Sequence, residues 1–236
     1  MFGNIIILVV VGLVGLSYYP IVVSLYGPQL VSQDEPAGER AAAFFVVILF
    51  HLFGGLMLWS YFACILTDPG RVPSDFQPDV EDESALGLAT GGEASGSLGG
   101  STSTGHGRID KSDPRRVRYC RKCQRWKPER THHCSICGRC VLKMDHHCVW
   151  VANCVGERNY KFFFLFLAYT LLLCGLSCLA LLPYFSRFFS GSHDAEKRPA
   201  DLAFSFMAFI VDIAFALSLF GFIVMHAKLI AGNTTR

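Results

Sequence analysis

Four long stretches of the chain lack charged side chains and consist mainly of apolar residues. The first covers residues 1–33 and contains the run Ile5–Tyr26, the second is Ala41–Thr67, the third is Phe162–Ser186, and the fourth is Leu202–Ala227, interrupted only by Asp212. Because the hydrocarbon core of a bilayer needs about 20 consecutive helical residues, each stretch is long enough to cross it. The pattern therefore predicts four transmembrane helices.

The first stretch has to be distinguished from a cleaved secretory signal. It has no basic residues at its start, its apolar run is too long for a signal sequence, and no small-residue cleavage site follows it. We interpret it as a retained membrane helix. We interpret Asp212 as forming a hydrogen bond between membrane helices, with a proton path as the less favoured alternative.

Composition agrees with a membrane protein. Of 236 residues, 52% are hydrophobic and 17% are charged, and the mean hydropathy is +0.38, whereas soluble domains carry about 25% charged residues. Of the 21 Lys and Arg residues, 15 lie between Asp68 and Lys161. Because basic loops stay on the cytoplasmic side, we expect this block and both termini to be cytosolic.

The central block begins with a segment, residues 68–119, that has no motif of an active site. An acidic patch at residues 75–83 precedes Ser84–Gly107, where 16 of 24 residues are Gly, Ser or Thr, a composition typical of a flexible linker. Arg108–Arg130 then carries ten basic and three acidic residues. This stretch either faces solvent and anionic lipid or holds substrate phosphates. We find no P-loop, no dinucleotide-binding fingerprint and no internal repeat.

Cysteine and histidine are concentrated in the 35 residues from Cys120 to Cys154, which contain seven of the ten cysteines and four of the eight histidines. These candidate donors are Cys120, Cys123, His132, His133, Cys134, Cys137, Cys140, His146, His147, Cys148 and Cys154. In a reducing cytosol such spacing indicates metal ligands rather than disulfides, and zinc takes four S or N donors in a tetrahedron. Eleven donors exceed two tetrahedra by three, so the surplus indicates a further function.

The tetrapeptide Asp145-His146-His147-Cys148 is the natural place for that surplus. If it is extended, His146 and Cys148 share one face and His147 lies on the other. A thiol beside a histidine is a nucleophile and base pair, which Asp145 would orient. The alternative is that all of these side chains ligate zinc.

These residues resemble the DHHC-type protein S-acyltransferases, or palmitoyltransferases. The family's pattern reads here as Cys120-x2-Cys123-x3-Lys127-Pro128-Glu129-Arg130-x2-His133-Cys134-x2-Cys137-x2-Cys140-x4-Asp145-His146-His147-Cys148-x5-Cys154-x4-Asn159-x3-Phe163. Two flanking motifs agree: Asp68-Pro69-Gly70 follows the second predicted helix, and Asn233-Thr234-Thr235 resembles the start of the family's Thr-Thr-x-Glu. The sequence ends at Arg236, before the Glu of that motif.

The resemblance implies an all-α integral membrane protein with a cytosolic zinc-binding domain between helices 2 and 3. The implied segments are helix 1 within 1–33, helix 2 at 41–67, the linker 68–119, the cysteine-rich domain 120–161, helix 3 at 162–186, helix 4 at 202–230 and the C-terminal motif at 231–236. The implied activity is transfer of a palmitoyl group from acyl-CoA, through a thioester on the enzyme, to cysteines of cytosol-facing proteins. The implied location is an endomembrane (ER or Golgi) or the plasma membrane, and no nucleic-acid partner is expected.

The same resemblance assigns roles to individual residues. It implies one structural zinc site at Cys120, Cys123, His133 and Cys140, and a second at Cys134, Cys137, His147 and Cys154. It implies Cys148 as nucleophile, His146 as general base, Asp145 as its orienting carboxylate and Thr235 as a hydrogen-bond partner of Asp145. Lys127, Arg130 and His132 are candidates for CoA phosphates, and Trp150, Phe163 and Phe166 are candidates either for lining an acyl cavity or for plain packing.

Two other classes of function compete with an enzyme. A membrane-anchored zinc scaffold would bind partners without catalysis and would tolerate loss of the Cys148 thiol. A transporter is less favoured, because the spans have no paired broken helices and only one buried charge.

Overall fold

The computed structural model describes residues 2–77, 118–190 and 199–232. The Gly/Ser linker, the acidic residues 79–83, the basic residues 108–116 and Thr235 lie outside the described residues. The sequence-based expectations about those segments remain predictions.

Helices long and apolar enough to cross a membrane make up most of the described structure, and there are four of them. The first comprises α1 (Phe2–Tyr18), a π-helical segment (Tyr19–Tyr26) and α2 (Gly27–Val31), and the others are α3 (Ala37–Leu66), α4 (Tyr160–Phe189) and α5 (Pro199–Ala231). The prediction of a mostly helical, multi-pass membrane protein with a cysteine-rich domain between the second and third spans is confirmed.

The first span changes its helical pitch at Pro20. A proline has no N–H to donate to the carbonyl four residues earlier, and its ring crowds that carbonyl. The backbone accommodates the ring by widening into the π-helical segment that starts at Tyr19. The sequence analysis did not predict this segment.

The four spans form one bundle in which α4 packs against both α3 and α5. A polar contact inside the bundle joins α1 to α5, where Ser17 Oγ donates to Asp212 Oδ1 at 2.9 Å. Both side chains are 5% exposed. The interpretation of Asp212 as a hydrogen bond between helices is therefore correct.

Three short antiparallel hairpins build the cysteine-rich domain. They are β1 (Arg118–Cys120) with β2 (Arg125–Lys127), β3 (His132–Cys134) with β4 (Arg139–Val141), and β5 (His146–Cys148) with β6 (Asn153–Val155). We refer to them as hairpins 1, 2 and 3.

The three hairpins repeat one another every 14 residues. Cys120, Cys134 and Cys148 each end the first strand and pair with the residue that starts the second. One loop residue of each hairpin has positive φ, namely Gln124 (52°), Gly138 (65°) and Ala152 (48°), again 14 residues apart. The expectation of no internal repeat is therefore wrong. Only the first cysteine is common to all three units, although hairpins 2 and 3 also share the two preceding histidines, the second-strand cysteine and the valine after it.

Hairpin 3 is anchored to the end of α3. The Asn153 side-chain amide donates to the carbonyls of Cys64, Ile65 and Thr67 at 3.3, 3.2 and 3.1 Å, and the Asn159 amide donates to the Cys64 carbonyl at 3.3 Å. The last carbonyls of a helix have no partner within the helix, so these amides satisfy them.

The chain around Pro69 packs closely against the segment that leads into α4. At Gly156, a Cβ atom would lie 2.7 Å from both the Pro69 carbonyl oxygen and Val141 Cγ1. Only glycine fits this contact, which closes the cysteine-rich domain onto the end of α3.

Candidate active site

Two clusters of sulfur and imidazole donors lie in the cysteine-rich domain, and their members coincide with the two predicted zinc sets. Cys120, Cys123, His133 and Cys140 form the first, and Cys134, Cys137, His147 and Cys154 form the second. Within each cluster the donor atoms lie within 4.8 Å of one another. Each set contains three sulfurs and one nitrogen, a zinc-type donor set.

The distances fit a tetrahedral ion. From His133 Nδ1 to the sulfurs of Cys123, Cys120 and Cys140 they are 3.2, 3.6 and 3.9 Å. From His147 Nδ1 to the sulfurs of Cys137, Cys154 and Cys134 they are 3.4, 3.5 and 3.6 Å. A zinc tetrahedron with its usual bond lengths has S···N edges of about 3.5 Å. Both clusters therefore have the donors and the size to hold such an ion.

Each cluster draws its ligands from two successive hairpins. Each takes the C-x2-C pair of one hairpin, whose first cysteine ends the strand and whose second lies in the loop, and a cross-strand His/Cys pair from the next hairpin. These pairs are His133 opposite Cys140 in hairpin 2 and His147 opposite Cys154 in hairpin 3. A metal in either site would therefore fix two successive hairpins together.

The β5 strand divides its two histidines between different surroundings. His147 turns to the second metal cluster. On the other face His146 Nδ1 lies 2.7 Å from Asp145 Oδ2, whose side chain is 1% exposed. The alternation of an extended strand produces this division. The three surplus donors counted in the sequence, His132, His146 and Cys148, are those that join neither cluster.

The pKa of His146 is strongly perturbed. Burial alone would lower it, but hydrogen bonds with Asp145 and Cys148 and the charges of both groups outweigh burial and raise the pKa to about 9. The arrangement stabilises the imidazolium form between a carboxylate and a thiol. This is the electrostatic pattern of a thiol nucleophile with its base.

Cys148 itself is 7% exposed and opens into a cavity of about 440 Å³. All four spans contribute lining residues, and the walls are mainly apolar. Trp150, Phe163 and Phe166 are among them, together with His146, Ser17 and Asp212. The Cys148 thiol therefore lies in the wall of a cavity between the four membrane-spanning helices.

A family model described as DHHC palmitoyltransferase matches residues 114–236, which include both metal clusters, Asp145–Cys148 and the α4 and α5 walls of the cavity. The chain belongs to the DHHC palmitoyltransferase family.

Curated relatives of this family extend the match to the membrane helices. The chain is 48% identical over 233 residues to the "Probable protein S-acyltransferase 14" of Arabidopsis thaliana, covering 99% of this chain and 72% of that protein. It is 34% identical to the mouse "Palmitoyltransferase ZDHHC20", covering 93% of this chain and 60% of that protein. The likeness is therefore not confined to the cysteine-rich domain.

The remaining predicted site residues are the three candidates for binding CoA phosphates, and Thr235. Lys127, Arg130 and His132 do not line the cavity, but His132 lies close enough to Arg118 and Lys127 that, after partial burial, their charges lower its pKa. Arg118 and Lys127, which lie opposite each other in hairpin 1, are thus near His132 of hairpin 2. Thr235 lies outside the described residues.

Two residues beside the site, Tyr160 and His226, were not identified from the sequence. His226 of α5, with 0% exposure, lies 2.8 Å through Nδ1 from the hydroxyl of Tyr160. Its ring centroid is 6.4 Å from that of His146, and both rings contact Phe163 and Phe222. The only signal in the sequence was a histidine inside a predicted membrane helix.

Proposed function

We propose that this chain is a protein S-acyltransferase that takes a long-chain acyl group, such as palmitoyl, from acyl-CoA and passes it to cysteine thiols of cytosol-facing proteins. One observation carries the proposal: a Cys148 thiol, paired with His146 and Asp145, opens into an apolar cavity between the membrane helices. The family membership and the names of the relatives support the same reaction.

In the first half-reaction the Cys148 sulfur attacks the thioester carbonyl of acyl-CoA. His146 accepts the thiol proton and delivers it to the departing CoA sulfur, so that one thioester bond forms as another breaks. Asp145 holds the imidazole through Nδ1, which turns Nε2 towards the thiol.

In the second half-reaction an acceptor cysteine attacks the acyl-Cys148 thioester. His146 now takes the proton of the acceptor thiol and returns it to Cys148. Since a thioester is exchanged for a thioester in both halves, the enzyme has to activate thiols and exclude water rather than drive an uphill reaction. Because the acyl group passes through the Cys148 thioester, we expect ping-pong kinetics.

The cavity would hold the acyl chain during both halves. Each methylene kept from water contributes about 0.8 kcal/mol, so a chain of palmitoyl length has a strong preference for apolar walls. Trp150, Phe163 and Phe166 supply part of those walls.

The two metal clusters have a structural part in this scheme. Zinc is the ion that their three-sulfur, one-nitrogen donor sets favour. When bound, it would lock the hairpins together and hold β5 in the register that separates His146 from His147. The reaction steps use the chain's own side chains.

The polyanionic CoA head needs basic partners near the thiol. Lys127, Arg130 and His132 are our candidates: Lys127 lies opposite Arg118 in hairpin 1, and His132 is near both. The excess of Lys and Arg in the central block favours a cytosolic position for this domain, where acyl-CoA is available.

The test is intact-mass spectrometry of the purified protein after incubation with palmitoyl-CoA, beside Cys148→Ser and Cys178→Ser. Cys178 is half-buried on α4 and does not line the cavity, so it is a matched control thiol. We expect a hydroxylamine-sensitive palmitoyl adduct on the unmodified chain and on Cys178→Ser, and none on Cys148→Ser. A folded, metal-loaded protein without an adduct would favour the non-catalytic scaffold instead.

A further inference from the structure

The 14-residue repeat places Cys148 in the position of a zinc ligand. Cys120 and Cys134 end the first strands of hairpins 1 and 2. Each is the first cysteine of a C-x2-C pair in a metal cluster. Cys148 ends the first strand of hairpin 3 in the same register, opposite Asn153. By backbone position the proposed nucleophile is the third member of a ligand series.

The second loop cysteine is what hairpin 3 lacks. Three residues after Cys120 and Cys134 come Cys123 and Cys137, which complete the loop pair of each cluster. Three residues after Cys148 comes Val151. The next loop residue has positive φ in all three hairpins, so the backbone follows the same path through this position.

The cross-strand pair of hairpin 1 and the loop of hairpin 3 make apolar contacts at the positions where the other hairpins have metal ligands. Among the described residues no hairpin precedes hairpin 1, and its cross-strand pair is Tyr119 and Trp126, packed edge to face with ring centroids 5.0 Å apart. At the other end Val151 is fully buried, in one cluster with Cys148, Tyr61 and Cys64 of α3. The loop of hairpin 3 therefore packs on a membrane helix, whereas the loops of hairpins 1 and 2 would bind metal.

We propose that hairpin 3 is a zinc knuckle reduced to one ligand, and that Val151 keeps the Cys148 thiol free of metal. A pair of thiols in a C-x2-C loop chelates zinc or cadmium, releasing one proton from each thiol. A coordinated sulfur shares its electron pair with the metal and is no longer free to attack a thioester. The proposal concerns the same thiol as the proposed function and rests on it.

The competing explanation gives Val151 a packing role alone. Its complete burial would then be the whole reason for an apolar residue, and a thiol at the same place would cost only packing. The two explanations differ in metal stoichiometry, which can be measured without any acyl transfer.

The experiment compares Val151→Cys with Val151→Thr in the full chain in detergent. Thr has nearly the shape of Val but no soft ligand. Metal is counted by elemental analysis and by cadmium titration, using the thiolate-to-cadmium absorption band. We expect three cadmium equivalents for Val151→Cys and two for Val151→Thr, the unmodified chain and the double variant Cys148→Ser/Val151→Cys. Val151→His, which supplies an imidazole at the same place, should also bind a third equivalent if the cysteine variant does not fold.

Acyl-enzyme formation provides the second readout. In Val151→Cys it should fall at least tenfold when the third equivalent is bound and recover when a mild chelator removes that equivalent alone. The proposal is overturned if variants that retain the two structural equivalents bind no third, or if acylation stays low after its removal. If the unmodified chain forms no adduct, the proposed function fails, while the cadmium counts still decide whether hairpin 3 is an emptied knuckle.

Discussion

Arg139 and Asp68 form an ion pair that joins hairpin 2 to the segment after α3, with 2.7 Å between Arg139 Nη1 and Asp68 Oδ2. Burial alone would raise the pKa of Asp68, but hydrogen bonds from Arg139, the Gly70 N–H and Arg71 lower it to about 2. The carboxylate is therefore charged at every pH above about 4. Its contribution to stability is present above that pH and is lost as the pH falls towards 2.

Replacing the partner should loosen the domain. For Arg139→Gln we expect a loss of about 1 kcal/mol in the free energy of unfolding, because the pair is only partly buried. Arg71 also contacts Asp68, but its side chain is 74% exposed against 25% for Arg139. Arg71→Gln is therefore the control and should change little in thermal unfolding. Equal effects of both substitutions would show that the pair has no special anchoring role.

Asp145→Asn tests the orientation of the base. The substitution keeps the size of the side chain but removes the charge that helps to raise the pKa of His146. We expect acyl-enzyme formation to slow by about 10²- to 10⁴-fold, since the imidazole loses its fixed tautomer. The rate is measured by intact mass at saturating palmitoyl-CoA, with zinc content as the control for folding. A rate within a few-fold of the unmodified chain would remove Asp145 from the mechanism.

Loss of one metal ligand should abolish acylation from a distance. Cys137→Ser removes a donor from the cluster that also holds His147, the neighbour of His146. We expect the zinc content to fall from two equivalents to one and the acyl-enzyme to disappear, because β5 loses its anchor. Cys178→Ser should retain both equivalents. An active Cys137→Ser with one zinc would show that the second cluster does not support the catalytic strand.

Much of this architecture could be predicted from the sequence, for a physical reason. Charge-free runs of sufficient length predict spans because a bilayer admits little else, and C-x2-C spacing predicts ligands because two sulfurs three residues apart converge. The 14-residue repeat was harder to find. Position 151 holds Val where positions 123 and 137 hold Cys, and the shared backbone path is visible in the strand register and the φ angles.

Contacts between distant segments were beyond prediction. Tyr160 and His226 are 66 residues apart and meet only because α4 and α5 pack side by side. The π-helical segment also depends on more than its proline, because the energetic choice between a kink and a wider helix depends on the surrounding bundle.

Tyr160→Phe tests the polar link behind the base. The substitution deletes only the hydroxyl that holds His226, whose ring packs against His146. We expect acyl-enzyme formation to slow severalfold without a change in the half-saturating concentration of palmitoyl-CoA. His226→Phe should have a similar effect, and the double variant should be no slower than either, because the two residues share one hydrogen bond. Additive losses would mean that they act separately.

The amide of Asn153 joins hairpin 3 to the end of α3, so we expect the two to move as one unit. A membrane helix adjusts its tilt to the thickness of the surrounding bilayer. Since three carbonyls at the end of α3 bind the residue that lies opposite Cys148 in the hairpin, a tilt of that helix displaces the thiol in the same sense. We therefore expect the depth of the Cys148 sulfur to follow lipid chain length. In reconstituted vesicles acylation should pass through a maximum at one bilayer thickness, an optimum that Asn153→Ala should broaden.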